Sequence, residues 1–321
     1  MDGLRGTGTA TFLVHRACPS IIVGAMSPPS TSTVRSPAVA GTFYPIHPTA
    51  CRQQAEAFLR PAPAPAGNRP LLGGIVPHAG WICSGAIAGQ TIATLAQSTR
   101  PDVVVVFGAI HTPVRVDYAA LDSHSGWAVP GGQSAVHEPL QRHLAEQRGL
   151  FAVDERLHRY EHAVEVELPM LQLAFPNTAI LPVEVPVNQQ AAEIGRQTAR
   201  RIQKSNLRAI YLASSDLTHY GPNYGFYPAG IGLPGIQWAN DNDRRLLDLV
   251  RRLAADAIVP EVRAHYNACG GGAIAAMLAA CLEHGATQAT VLRHTNSYET
   301  LADVQPQPPD NSVGYAGVVI G

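Results

Sequence analysis

The sequence predicts an α/β fold, a single domain in which a mostly parallel central sheet is flanked by helices. Three short apolar runs, at residues 71–76, 103–107 and 209–213, have the length and the Val and Ile content of buried strands. Segments with helical spacing of apolar residues lie between them, and this alternation is typical of a parallel sheet. The length of 321 residues suits one large domain of this class.

The other elements follow from the same two patterns, apolar stripes at helical spacing and continuous apolar runs. Val136, Leu140 and Leu144 form one such stripe, and Pro169 should bend its helix or divide it in two. Residues 221–234, rich in Gly, Pro and aromatic side chains, are predicted to form a long ordered loop, either a wall of a site or an interface. The predicted elements in chain order are a helix at 48–59, a strand at 71–76, a helix at 84–97, a strand at 102–108, helices at 134–147 and 161–175, a strand at 179–185, a helix at 189–204, a strand at 207–213, helices at 240–255 and 271–284, and strands at 289–293 and 312–320.

The composition excludes several classes of protein. Hydrophobic residues make up 46% of the chain, which is enough for a large core, and the net charge of −1 comes without a basic stripe. Nucleic acid is therefore not expected as a partner. The longest apolar stretches have the length of strands, so no membrane-spanning helix is expected. Five cysteines, an odd and low number, favour a reducing compartment, and a cytoplasmic location is predicted.

The chain is predicted to have two parts. Residues 1–33 are expected to be a disordered or weakly ordered N-terminal extension, and residues 34–321 to be the α/β domain. The extension has short apolar pieces but no continuous hydrophobic region with a cleavage site, so a secretory or transit signal is the weaker alternative. Met26 is an alternative start of translation.

Three histidines follow three of the predicted strands. His78, His111 and His219 each lie just beyond a strongly apolar run. The carboxyl ends of parallel strands meet at one edge of the sheet, where α/β proteins place their chemistry. Neutral imidazole is a common ligand of zinc, iron and copper. The sequence therefore predicts one polar site at this edge, with a metal ion as one of its interpretations.

Cys269 and Asp216 are the other residues of chemical interest. Cys269 precedes a glycine-rich turn that opens a helix, where unpaired amides favour the thiolate. The thiolate is both a metal ligand and a nucleophile, and the alternative is a buried, inert side chain. Asp216 stands three residues before His219 and would share a face with it in a helical turn. That pair would suit general acid–base catalysis, and the alternative is a helix cap.

Residues 158–162, His-Arg-Tyr-Glu-His, match the inverted zinc-peptidase motif. That motif requires both histidines on one continuous helix, whereas the helical period here begins near Glu161. A polar rim or outer shell formed by Glu161, His162 and Glu165 is the favoured interpretation.

Together these motifs resemble those of the Memo family, also called AmmeMemoRadiSam system protein B. The resemblance covers the chain from about residue 35 to its end, and the order of the motifs makes it specific. The motifs are Arg-Ser-Pro-Ala-Val-Ala-Gly-Thr-Phe-Tyr-Pro at 35–45, Pro-His-Ala-Gly-Trp at 77–81, the turn at 108–111, Glu-His-Ala-Val-Glu at 161–165, Ser-Ser-Asp-Leu-Thr-His-Tyr-Gly at 214–221, Cys-Gly at 269–270 and Ser-Val-Gly-Tyr at 312–315.

The resemblance implies a fold like that of the LigB-type extradiol dioxygenases, which use non-haem iron. It implies a metal site of His78, His111 and Cys269, where those dioxygenases have a carboxylate as third ligand. Asp216 and His219 would lie beside the metal as catalytic residues. Four residues within or beside these motifs are the candidate substrate-binding residues: Trp81, His162, Glu165 and Tyr220.

The expected cofactor is one transition-metal ion, with Fe(II) or copper favoured and zinc a competitor, because a His₂–thiolate set is softer than the facial triad of the dioxygenases. Family members are linked to iron or copper binding, to redox processes and, in animals, to signalling through phosphotyrosine peptides. Trp81, and Gly271 to Ala273 after Cys269-Gly270, depart from the animal pattern, so peptide binding is poorly supported.

These residues and the resemblance are compatible with three functions. The first is a mononuclear metal-dependent oxidoreductase of dioxygenase type, in which His219 moves protons and Asp216 orients it. The second is a non-catalytic adaptor that binds a metal or a peptide. The third is a metal-free hydrolase with Cys269 as nucleophile, His219 as base and Asp216 as orienting group. The partner expected in the cleft is a small molecule or a peptide, and no oligomeric state is predicted.

Overall fold

The structure, a computed structural model, describes residues 34–63 and 70–321. The predictions made for the extension 1–33, including Met26 as a start, lie outside the described residues. The elements in chain order are β1 Val34–Arg35, α1 Pro48–Phe58, β2 Gly73–Val76, α2 Trp81–Ser98, β3 Val103–Gly108, β4 Ala119–Leu121, β5 Gly126–Val129, β6 Gly132–Ala135, α3 Glu138–Ala145, β7 Phe151–Val153, α4 Glu155–His158, a 3₁₀ turn Glu165–Glu167, α5 Leu168–Ala174, β8 Ala179–Glu184, α6 Ala191–Lys204, β9 Ala209–Ser214, β10 His219–Tyr220, a 3₁₀ turn Pro222–Tyr224, α7 Leu233–Arg251, α8 Ala255–His265, α9 Gly271–Glu283, β11 Ala289–Asn296, α10 Ser297–Thr300 and β12 Ser312–Ile320.

A nine-stranded sheet forms the centre of the domain, in the order β10-β12-β2-β9-β3-β8-β4-β7, with β11 paired to β12. The central strands β2, β9, β3 and β8 are parallel to one another. Antiparallel pairs lie on both sides, where β12 meets β2 and where β4 meets β8. The predicted α/β class and single domain are confirmed, and the parallel order belongs to the four central strands of a mixed sheet.

The apolar runs are continuous because helices cover both faces of this sheet. Val103, Val105 and Phe107 of β3 point into a core shared with helices α6, α8 and α9. Val104 and Val106 point to the opposite face, into a second core shared with α1, α2 and α5. Side chains alternate along a strand, so a strand covered on both faces has no polar position.

Helix α9 lies deep in the first core, and its small residues allow close approach. All residues from Gly271 to Cys281 are buried. Gly195 of α6 faces the backbone of Ala276, and any Cβ at position 195 would collide with that carbonyl group. This packing fixes the N-terminus of α9 in the domain, and with it Cys269, which stands two residues before the helix.

Three predicted helices begin or end at other positions. The helix predicted at 134–147 begins only at Glu138, because residues Gly132–Ala135 pair with β5 as strand β6. The helix predicted at 161–175 is a 3₁₀ turn followed by α5, with Pro169 in the first turn of α5, where its missing N–H costs nothing. The helix predicted at 240–255 begins at Leu233 and ends at Arg251, and α8 follows as a separate helix.

The loop predicted at 221–234 is present between β10 and α7, interrupted by one 3₁₀ turn. Among the described residues, no helix is both long and apolar enough to cross a membrane.

Candidate metal centre

Three predicted ligands come together at the carboxyl edge of the central sheet. The nearest donor atoms of His78, His111 and Cys269 all lie within 4.8 Å of one another, close enough to hold one metal ion. Cys269 Sγ lies 3.2 Å from Nε2 of His78, and the rings of His78 and His111 are 5.0 Å apart. His78 is buried, whereas the His111 side chain is 33% exposed, so the cluster opens to solvent on the His111 side.

The sheet explains why residues so far apart in sequence meet. Strands β2 and β3 flank β9 in parallel, so the residues that follow them leave the same edge. The chain after β9 then holds Cys269 in place. The Cys269 amide donates to the carbonyl oxygen of Asp216 at 3.3 Å, and the Gly270 amide donates to Ser215 Oγ at 2.9 Å.

Hydrogen bonds orient the His78 ring with Nε2 toward the cluster. The Ser214 hydroxyl donates to the carbonyl oxygen of Ala163, so it can only accept from Nδ1 of His78, which lies 2.9 Å away. With Nδ1 bonded to Ser214, Nε2 is the atom that faces Cys269. The backbone amide of His78 donates to Asp216 Oδ1 at 2.9 Å, which fixes the strand exit.

Glu161 orients the ring of His111 through hydrogen bonds. Its Oε1 accepts from His111 Nδ1 at 2.8 Å, and its Oε2 accepts from the His111 amide at 2.6 Å. Oε1 also accepts from the amides of His162 and Ala163. Burial by itself raises the pKa of Glu161, but the hydrogen bonds and positive charge of His111 prevail and lower it to about 2. A carboxylate bonded to Nδ1 leaves Nε2 of His111 available as a ligand.

The histidines around Cys269 favour its thiolate. Burial would raise the pKa of this thiol, yet the charge of His78 and the neighbouring imidazoles of His111 and His219 hold the pKa well below its usual value. The pKa of His78 is raised to about 9, because the Cys269 and Asp216 charges outweigh its burial. These two shifts favour an imidazolium–thiolate pair of His78 and Cys269, and a metal cation binding there would compete with the proton.

His162 also lies beside the cluster, and its predicted role in binding substrate stays a prediction. Its ring stacks on His111 at 4.4 Å and stands 5.1 Å from His78. Burial, followed by the charges of His78 and His111, lowers its pKa to about 3, so the ring is neutral. His162, Glu161 and His111 form a second group within metal-binding distance, which shares His111 with the first group.

His219 and Asp216 are both near the cluster, but not as a pair. Residues 215–218 are not helical, so the two side chains do not share a helical face. Within the described residues, Asp216 has no hydrogen bond to His219, and its Oδ1 binds the His78 amide instead. His219 Nε2 is buried without a hydrogen-bond partner in this part of the chain, and its ring lies 5.0 Å from that of Tyr224.

Trp81, Glu165 and Tyr220 lie outside the cluster of His78, His111 and Cys269, and their role in binding substrate stays a prediction. Each is buried with its polar atoms bonded inside the protein. Trp81 Nε1 donates to the Val166 carbonyl oxygen at 3.1 Å, and the Tyr220 hydroxyl donates to the Gly230 carbonyl oxygen at 2.7 Å. Side chains already satisfied in the core support the fold around the site.

The carboxylate of Glu165 binds Arg35, a residue that the sequence did not single out. The buried Arg35 guanidinium donates to Glu165 Oε2 and to the carbonyl oxygens of His158 and Glu161, at 2.6–2.7 Å. It also lies 4.0 Å above the ring of Trp127. Arg35 therefore clamps the segment that presents Glu161 and His162 to the cluster.

The inverted zinc-peptidase motif at 158–162 is excluded by the same segment. Helix α4 ends at His158, and Glu161 and His162 lie outside it. His158 is fully buried, with Nε2 bonded to the carbonyl oxygen of Ala120 at 3.1 Å. The two histidines therefore do not lie on one helix, as that motif requires.

Comparison with known proteins gives one consistent family. The family described as Memo-like protein matches residues 35–319. A MEMO1 family protein of Methanosarcina barkeri is 32% identical over 295 residues, covering 89% of this chain and 100% of that protein. A MEMO1 family protein of Thermococcus onnurineus is 29% identical over 294 residues, covering 89% and 99%. A solved structure of an uncharacterized protein from Escherichia coli K12 is 13% identical, with a TM-score of 0.49 over 78% of this chain and 100% of that one.

Proposed function

The chain belongs to the Memo-like protein family, and we propose that it is a metal-dependent oxidoreductase with one iron or copper ion held by His78, His111 and Cys269. The observation that supports the proposal most is that the three donor atoms converge within 4.8 Å. Two imidazoles and a thiol that lie this close together can bind a single transition-metal ion.

The donor set fits a transition metal on chemical grounds. Each ligand histidine has its Nδ1 committed to an oxygen, His78 to Ser214 and His111 to Glu161. Such outer partners fix the ring and raise the basicity of the ligand nitrogen. A thiolate with two imidazoles suits copper, iron and zinc better than magnesium or calcium. Bound iron or copper would supply electron transfer at this position.

The remaining residues supply proton transfer and shape. We assign proton transfer to His219, because its Nε2 is buried next to Cys269 and has no partner among the described residues. Asp216 acts on His78 rather than on His219, through the His78 amide. The neutral ring of His162 closes one side of the cluster. A small molecule or peptide would enter from the exposed side of His111.

A metal-free cysteine hydrolase is the second candidate, favoured by the lowered pKa of Cys269. It predicts that Cys269 alkylates fast and that this rate depends on His219. The missing hydrogen bond between Asp216 and His219 in the described residues counts against a triad.

The four described cysteines, Cys51, Cys83, Cys269 and Cys281, are unpaired, which supports the proposed cytoplasmic location.

The experiment is elemental analysis of protein purified without oxygen and then loaded with Fe(II) or Cu(I). Wild type should bind about one ion per chain, whereas Cys269→Ser and His78→Ala should lose it. Cys83→Ser is the matched control, because Cys83 is also a partly buried free thiol but lies outside the donor group. Equal metal content in wild type, Cys269→Ser and His78→Ala would overturn the proposal. Metal binding without turnover of any substrate would support a binding protein over an enzyme.

A further inference from the structure

A surface cavity of about 370 Å³ lies beside the candidate metal centre. One wall is the segment after β3, beginning at Ile110, and the other is formed by Pro186 and Val187 after β8. Ile110 immediately precedes His111, so one end of the cavity adjoins the segment that carries this ligand. The cavity therefore opens at the same edge of the sheet as the metal centre.

The cavity combines an apolar wall with two guanidinium groups. Ile110, Val114 and Pro186 supply apolar surface, and Arg115 and Arg263 are also lining residues. Arg263 donates one N–H to the Val187 carbonyl oxygen at 2.9 Å, which anchors its side chain. An anchored guanidinium loses less freedom when it binds an acid than a free one does.

The charges of the lining favour an anion. Among the described residues, Arg115 has no hydrogen bond or ion pair, and Arg263 has no carboxylate partner. Asp117 is the single acidic residue of the lining, so two positive charges face one negative charge. Asn188 Nδ2 donates to the carbonyl oxygen of Asp117 at 3.1 Å, which ties the two walls together.

We propose that this cavity binds a small carboxylic acid with an apolar body, its carboxylate held by Arg115 and Arg263 and its body lying against Ile110 and Val114. Guanidinium groups match the two oxygens of a carboxylate, and the apolar wall adds hydrophobic contact. Binding itself does not depend on the metal. The further statement that this acid is a substrate of the metal centre rests on the proposed function.

Isothermal titration calorimetry of the full chain with phenylacetate and with phenylacetamide tests the proposal. The two probes share size and apolar body and differ in charge. We expect phenylacetate to bind about tenfold more tightly, and Arg115→Gln and Arg263→Gln each to weaken it by about tenfold, as expected for a lost charge-assisted bond. Arg251→Gln, which removes an exposed arginine on α7, should leave both affinities unchanged.

Equal binding of the two probes, or unchanged binding of phenylacetate in both cavity variants, would overturn the proposal. Proximity to the metal centre is measured separately, by the broadening of phenylacetate proton signals in Cu(II)-loaded over metal-free protein. Absence of broadening would show that the ligand in the cavity does not lie near the metal centre. If the protein failed to bind metal but still bound phenylacetate through Arg115 and Arg263, the proposed function would fail and the carboxylate site would stand.

Discussion

Replacing Glu161 by glutamine tests the arrangement around His111 most directly. The carboxylate accepts four N–H groups: Nδ1 and the backbone amide of His111, and the amides of His162 and Ala163. Glutamine has the same shape but one acceptor oxygen and one donor group. Its amide oxygen can take the position of Oε1, where three donors converge, but its NH₂ group then faces the His111 amide.

The expected effect on metal affinity follows from these contacts. The variant loses one charged hydrogen bond, gains a contact between two donors, and removes the negative charge that makes His111 basic. Outer partners of ligand histidines typically change metal affinity by about 10-fold to 100-fold. That corresponds to about 1.4–2.8 kcal/mol of binding free energy. The fold should persist, because the three donors at Oε1 keep their acceptor.

The affinity is measured by competition with a chromophoric Cu(I) chelator at neutral pH, with circular dichroism as a check on folding. Glu155→Gln is the control, because Glu155 is a partly exposed glutamate of the same chain segment that pairs with Arg159. If Glu161→Gln binds copper within twofold of wild type, then Glu161 does not support a metal ligand and the assignment of His111 fails.

Two further predictions concern stability. Arg35→Gln breaks the three hydrogen bonds of the clamp. It leaves the buried Glu165 carboxylate without its ion pair, bonded among the described residues only to the amides of Ala38 and Val39 and the Tyr44 hydroxyl. It should lower the free energy of unfolding in urea by about 3–5 kcal/mol, whereas Arg156→Gln, at a side chain that is 82% exposed, should leave it nearly unchanged; a loss of under about 1 kcal/mol in Arg35→Gln would contradict the clamp. Glu184 is fully buried without hydrogen-bond partners among the described residues, and burial raises its pKa well above the usual value. A carboxyl group whose pKa is raised in the folded state keeps its proton to higher pH there than in the unfolded chain, where its pKa is about 4.3. Its contribution to the free energy of unfolding is therefore fully present below about pH 4.3 and is lost as pH rises. The stability of Glu184→Gln relative to wild type should therefore increase between pH 5 and pH 8 in thermal or urea unfolding, with the partly exposed Glu193→Gln as control; an equal difference at both pH values would refute it.

The parts of the fold that could be predicted are those whose signal is local. Strand β3 and strand β12 were predicted nearly to the residue, because each is a continuous apolar run covered on both faces. Strands β4 and β7 were missed, since each has three residues and owes its existence to neighbours in the sheet. Helix α8 was missed because only a few of its residues are buried and because Pro260, a residue that usually breaks helices, lies inside it.

The candidate site likewise has features that the sequence predicts and features that it does not. The meeting of His78 and His111 follows from strand order, since parallel strands end at one edge. The pairing of Asp216 with His219 was expected from their spacing and is absent, because the segment leaves β9 without turning into a helix. The Arg35 clamp could not be foreseen, since its acceptors are mostly backbone carbonyl groups far along the chain. Motif membership alone did not separate Trp81, which supports the fold, from His162, which contacts the cluster.

The separation of the donor residues along the chain has a consequence for the order of events after synthesis. His78 and Cys269 are 191 residues apart, and their meeting requires β2, β9 and the start of α9 to be in place. Contacts of such long range form late in folding, because a long loop must close first. A growing chain that has exposed His78 and His111 still lacks its thiolate. The proposed metal ion would therefore find its three ligands together only in the nearly finished protein.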